Sequence, residues 1–212
     1  MRDKPVEELR RDRRLQPTLE LELDFLMSEH EELDKFLGGG FCLGTATEFV
    51  GSFAANTFAL WLAASTTRQG LWVGWIDPLD CFDPLSFASM GGVEDNLLWM
   101  RVGGKEPFLK SLTCVDHLLS SGGFSLVVVD FLALRRDKVL ANRYWQRFLR
   151  RLRQSKTLLV LLLARKPARS SVDFRLLCHK KEGFLGLSID KSRSGREGQS
   201  ILLELAETVD GL

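Results

Sequence analysis

Three stretches of the chain are almost uninterruptedly apolar: LWVGWID (71–77), FSLVVVD (124–130) and TLLVLLL (157–163). Runs of this length without polar alternation predict strands covered on both faces, as in a parallel sheet between two helical layers. TEFVG (47–51) and LLWMR (97–101) predict two shorter strands of the same sheet. Between the strands the pattern turns helical: over 54–68, closed by Gly70; to about Met90 after the loop PLDCFDP (78–84); around 108–120; and over 138–153. Strand and helix alternate, so the expected fold is an α/β domain with a mostly parallel sheet flanked by helices. FLGLSID (184–190) and SILLELA (200–206), on either side of the polar KSRSGREGQ, predict a C-terminal antiparallel hairpin. FLGGGF (36–41) reads as a glycine-rich turn. Upstream of it, a basic piece (RRDRR, 10–14) precedes an acidic one (20–34) that contains no Lys or Arg. This divides the chain into a charged arm or helix, 1–32, and a core domain, 33–212.

Hydrophobic residues make up 45% of the 212, and charged residues 27%, which suits one domain with its own core. No apolar run approaches the ~20 residues of a membrane helix, and the first residues lack the apolar centre of a signal peptide. A cytoplasmic protein without membrane contact is expected. Cys42, Cys81, Cys114 and Cys178 lie far apart, with only His30, His117 and His179 beside them. They are expected to be buried free thiols in a reducing compartment, with no metal site. The net charge of +1 conceals an asymmetry. Residues 135–196 hold 18 Lys and Arg against 4 Asp and Glu, a balance of +14, so the rest of the chain carries −13. Such a surface points to a polyanionic or acidic partner.

Part of that charge falls on one helix. Arg143, Arg147, Arg150 and Arg151 recur at helical spacing, opposite an apolar stripe of Trp145, Phe148, Leu149 and Leu152. The helix is expected to pack by the apolar stripe and show a basic face with no acidic neighbour at i,i+4.

Residues 49–60, FVGSFAANTFAL, place a glycine between a strand and a helix, the arrangement of a phosphate-binding loop, G-x-x-x-x-G-K-[ST]. Counted from Gly51, however, the second glycine is Asn56, the lysine is Thr57 and the hydroxyl residue is Phe58. Asn can adopt positive φ, so Asn56 is compatible with the loop shape, and equally with a window that never formed a phosphate loop. The positive charge and the metal-holding hydroxyl are lost.

The order LGGGF, TEFVG, WIDPLDCFDP, GGVEDNLLW, SLVVVD and LRQSKTLLVLLL resembles the RecA family of recombinases and their paralogues, from about Leu33 to Leu163. The resemblance implies a RecA-like P-loop core. It also implies that the water-activating carboxylate falls at Leu79, with Asp80 beside it as a substitute, and that the phosphate-sensing glutamine falls at Ala164. Asp130, at the end of the Walker B-like strand, is retained. It is expected to serve structurally, hydrogen-bonded to the old loop through the Thr57 hydroxyl. No nucleotide cofactor and no ATPase activity are expected. Among RecA paralogues, the chain is most similar to the ImuA family, with its degenerate P-loops. That resemblance implies a non-catalytic accessory of the bacterial SOS response, supporting translesion synthesis and induced mutagenesis. Its implied partners are RecA, an ImuB-type polymerase homologue and DNA, with the arm serving self-association or docking on RecA.

The two DNA-facing loops of the recombinases correspond here to FLALRRD (131–137), with Arg135 and Arg136, and RKPARSS (165–171), with Arg165, Lys166 and Arg169. The hairpin loop adds Lys191, Arg193 and Arg196. No aromatic residue interleaves with these cations, so weak contact with phosphates, without base readout, is expected. Three alternatives stay open: a nucleotide-dependent ATPase, a mediator that remodels RecA filaments, and a protein-binding division inhibitor.

Overall fold

A computed structural model describes residues 24–134, 142–167 and 171–204. Eight strands form the main sheet: β3 (Ala46–Val50), β4 (Trp72–Asp77), β5 (Leu97–Arg101), β6 (Phe124–Asp130), β7 (Leu158–Leu163), β8 (Phe174–Lys181), β9 (Phe184–Lys191) and β10 (Ser200–Leu203). Their order is β10-β9-β8-β3-β7-β6-β4-β5. The six strands from β8 to β5 are parallel, and β9 and β10 are antiparallel additions at one edge. A small antiparallel ribbon pairs β1 (Phe25–Leu26) with β2 (Phe41–Cys42).

The all-apolar strands lie at the centre, as their lack of alternation requires. On one face, α1 (Glu31–Leu37), α2 (Phe53–Arg68) and α3 (Pro84–Ser89) pack a core around Phe49, Phe58, Leu62 and Trp75. The other face is covered by α4 (Pro107–Ser121) and α5 (Asn142–Ser155), through Leu112, Val115, Leu118, Trp145, Phe148 and Leu152. The predicted α/β architecture with its C-terminal hairpin is therefore the observed one.

Three expectations change. Residues 24–32, assigned above to the arm, pack on the core: Leu26 and Ser28 are buried, and the Ser28 N–H donates to Asp34. A strand not foreseen, β8, completes the sheet beside β3; Glu182 and Gly183, both at positive φ, make its two-residue turn to β9. The helix predicted over 138–153 is present where it is described, Asn142–Ser155, and 138–141 lie outside the described residues. Only Cys178 is a buried thiol, pushed up to about 12 by desolvation; Cys42 and Cys114 are half-buried and Cys81 is exposed.

Among the described residues, no helix is long and apolar enough to cross a membrane. Arg135 and Arg136, Arg169 and most of the arm lie outside the described residues.

Candidate functional site

The phosphate loop expected after β3 is absent as a loop. Only Gly51 and Ser52 separate β3 from α2, and the helix starts at Phe53. The Asn56 N–H donates to the Ser52 carbonyl at 3.4 Å, so Asn56 has helical rather than positive-φ geometry, and of the two outcomes left open the cradle is the one not formed. The cause is local. A ring of amides facing a phosphate needs residues that enter the left-handed region, and residues 52–56 include no glycine. Ala54 and Ala55 favour helix instead.

Gly51 has φ +152, and a Cβ there would lie 2.3 Å from the Cys178 carbonyl oxygen. Its glycine character serves the approach of β8. Thr57 turns back to the Phe53 carbonyl at 3.1 Å. Phe58, in the hydroxyl position, is fully buried; its ring centroid lies 4.8 Å from that of Phe49 and 5.9 Å from that of Trp61.

The acidic residues at the strand ends are engaged structurally. Asp77 accepts from the N–H groups of Cys81 (2.9 Å) and Phe82 (3.0 Å) and from Trp99 Nε1 (3.1 Å), which shapes the loop after β4. Leu79 projects from that loop, half-exposed. Asp80, the substitute for a water-activating acid, is held at two points by Arg101, at 2.6 and 2.5 Å. The hydrogen bond from Arg101 also lowers the Asp80 pKa, the wrong direction for a general base. Ala164, at the sensor position, has no amide to offer.

Asp130 is buried and accepts from the Leu132 N–H at 2.9 Å. The expected bond to Thr57 is not made, because the Thr57 hydroxyl is used within α2. Burial raises the Asp130 pKa, with Asp77 adding repulsion. A group whose folded pKa is raised stabilises below its unfolded value and loses that contribution as pH rises through the folded value. Asp130→Asn keeps the acceptor for Leu132, and is expected to raise the melting temperature at pH 7 by roughly 2–4 °C per kcal/mol relieved. The gain should vanish below about pH 4. A lower melting temperature at neutral pH would show instead that the charge is held by a favourable contact.

The basic residues fare differently from one another. On α5, Trp145, Phe148 and Leu152 face inward as predicted. Arg147 and Arg151 both pair with Asp116 of α4, an acidic partner that helical spacing could not reveal; the Arg151 contact is 2.9 Å. Lys166 pairs with Asp190 (2.5 Å) and Arg193 with Asp173 (2.5 Å). Arg196 donates to the carbonyls of Lys35 and Phe36, at the end of α1. Arg150 and Arg165 are exposed and have no ion-pair partner among the described residues. Lys191 ends β9 opposite Arg175. Arg143 lies on α5, its side chain outside the described set.

Two features were not foreseen. One is a buried ion network across β3, β8 and β9: Arg175 Nε meets Glu48 at 2.5 Å, and Arg175 Nη1 meets Asp190 at 2.9 Å. The other is a cleft of about 400 Å³ beside the start of α2, lined by Phe53, Trp61, Met90, Lys180 and Phe184. Phe53 is 70% exposed at its rim, and Leu85 on α3 is 77% exposed.

The fold and this site define an α/β protein with a RecA-like core in which helix α2 begins two residues after β3 and the hydroxyl position of the phosphate motif is a core phenylalanine. Comparison with known proteins points the same way. The chain is 36% identical over 105 residues to the RecA protein of Limosilactobacillus reuteri (strain DSM 20016), covering 48% of this chain and 28% of that one. It is 32% identical over 122 residues to RecA of Trichodesmium erythraeum (strain IMS101), covering 57% and 33%. To RecA of Ectopseudomonas oleovorans it is 33% identical over 116 residues, covering 53% and 32%. No family model matches the chain. The chain thus has a RecA-like relationship over about half its length, and spans about a third of the relatives it matches.

Proposed function

We propose that this chain is a non-catalytic, RecA-related accessory factor of the bacterial DNA-damage response. It supports translesion synthesis by linking DNA or RecA to an inactive polymerase homologue of the ImuB type. The observation that carries the non-catalytic part is the two-residue connection from β3 to α2, which leaves no backbone ring for a phosphate. Asp80 engaged by Arg101 supports it further. The DNA-damage role rests on the RecA relationship, and DNA contact on the +14 charge balance of the segment 135–196.

Millimolar Mg-ATP is expected to leave the melting temperature unchanged. A ligand at a hundred times its Kd would add about 2.7 kcal/mol of stability, or roughly 5–10 °C in a domain of this size. A shift of that size, or ATP turnover lost in Asp130→Asn, would overturn the proposal.

A second reading is favoured by the exposed Phe53 and Leu85 and by the internal pairing of Arg147, Arg151, Lys166 and Arg193. In it the chain works through protein contacts alone, as a modulator of RecA filaments or as an inhibitor of a division protein. Capture of RecA, or of a division protein, with no retention on single-stranded DNA at low salt would select it.

A further inference from the structure

The connections β7–β8 and β9–β10 are fastened to each other by crossed ion pairs. Lys166 of the first reaches Asp190 at the end of β9; Arg193 of the second reaches Asp173 at the end of the first. In both pairs the burial is unequal. The Lys166 and Arg193 side chains are 55% and 61% exposed, whereas those of Asp190 and Asp173 are 16% and 7% exposed. Each pair is a solvent-facing cation resting on a sunken carboxylate.

The carboxylates also have other partners. Asp173 Oδ2 accepts from the Ala46 N–H at 3.0 Å, and Asp190 Oδ2 meets Arg175 Nη1 at 2.9 Å. If either cation swings outward, the carboxylate beneath keeps a partner: Asp190 retains the Arg175 guanidinium and Asp173 the Ala46 N–H, which lowers the cost of leaving the charge behind. The cation can therefore be given up to another anion. What it would leave for must offer negative charge at the surface and need no aromatic platform, since the two connections carry none among their described residues. A phosphodiester backbone meets both conditions.

We propose that Asp173 and Asp190 are built-in phosphate mimics: they hold Arg193 and Lys166 at the surface, and a single-stranded nucleic acid binds by exchanging its phosphates for these two carboxylates. The proposal rests on the reading of this surface as one that meets DNA, and adds that its affinity is set from within. The cations are more than half exposed, so water and salt screen each pair from the outer side, and exchange lowers affinity without forbidding it.

The test is a double-mutant cycle on the full chain, read by anisotropy of a fluorescein-labelled 30-mer of deoxythymidine across a salt series. Asp173→Asn retains an acceptor for Ala46 while removing the charge beneath Arg193. Counterion release contributes a slope of roughly −0.7 in log K against log salt for each phosphate met on a single strand. One cation made fully available is therefore expected to raise affinity about eightfold near 50 mM salt and about fourfold near 150 mM, with the slope steeper by about that amount. In an Arg193→Gln background the same Asp173→Asn change is expected to have little effect, which separates exchange from a general loss of negative charge. Asp190→Asn with Lys166→Gln gives a second, independent cycle should Asp173→Asn fold poorly.

If the wild type binds and both cycles are additive, with slopes unchanged, the phosphate-mimic proposal is wrong while the DNA-binding reading stands. If neither the wild type nor any variant binds at low salt, both fail.

Discussion

Phe58→Ser, which restores a hydroxyl residue at the metal-holding position of the phosphate motif, is expected to cost about 3–5 kcal/mol of stability, the range for removing a buried ring. Phe58 is fully buried between Phe49, Phe41 and Trp61, so the smaller side chain leaves a cavity lined by aromatic edges. It also places an unpaired hydroxyl there, at a further cost. Urea unfolding of the wild type, Phe58→Leu and Phe58→Ser is the measurement, with Phe58→Leu expected to lose much less. Combining Thr57→Lys with Phe58→Ser is not expected to create a response to Mg-ATP, since no loop is present for either side chain to serve. A loss below about 1 kcal/mol for Phe58→Ser would mean that this end of α2 unwinds readily.

Arg175→Met is expected to destabilise by a similar amount, about 3–5 kcal/mol, because it strips its cation from a buried carboxylate. Glu48 and Arg175 are both buried and meet at 2.5 Å across the β3–β8 pairing. Asp190 is affected less, since it keeps Lys166. The double variant Glu48→Leu with Arg175→Met should recover most of the loss, because an apolar pair of similar volume removes the buried carboxylate together with its cation. Chemical denaturation of the two single variants and the double variant decides the matter. Equal stability of Arg175→Met and the wild type would show that water reaches Glu48.

The same pair explains why β8 escaped the sequence reading. Its residues, FRLLCHKK, mix cations into an apolar run, and Arg175 looks like a solvent residue until Glu48 and Asp190 are placed beside it. The turn residues Glu182 and Gly183 carried the signal for a two-residue hairpin, but the lysines before them masked the strand. β4, β6 and β7 were legible because each is apolar on both faces, and no partner is needed to recognise such a strand. The basic helix was legible by its apolar stripe, whereas the pairing of Arg147 and Arg151 was not. Asp116 lies on another helix, and helical spacing speaks only of neighbours on the same one. At the phosphate position the sequence identified the missing chemistry at Thr57 and Phe58. The loss of the loop itself required the structure, because Asn56 was compatible with either outcome.

Gly51 shows what the motif glycine is worth as a marker in chains of this kind. The Cys178 carbonyl oxygen comes so close to the Gly51 Cα that any side chain would be blocked, so a glycine is required here whether or not phosphate ever binds. The informative quantity is the length of the connector. A strand joined to its helix by two residues is topologically unable to encircle a ligand, and substitution of side chains downstream leaves that length as it was. A longer phosphate-wrapping loop would need residues inserted ahead of Phe53 or an unwound first turn of α2. Connector length, measured between the end of β3 and Phe53, therefore bears on phosphate binding here separately from the identities of Asn56, Thr57 and Phe58.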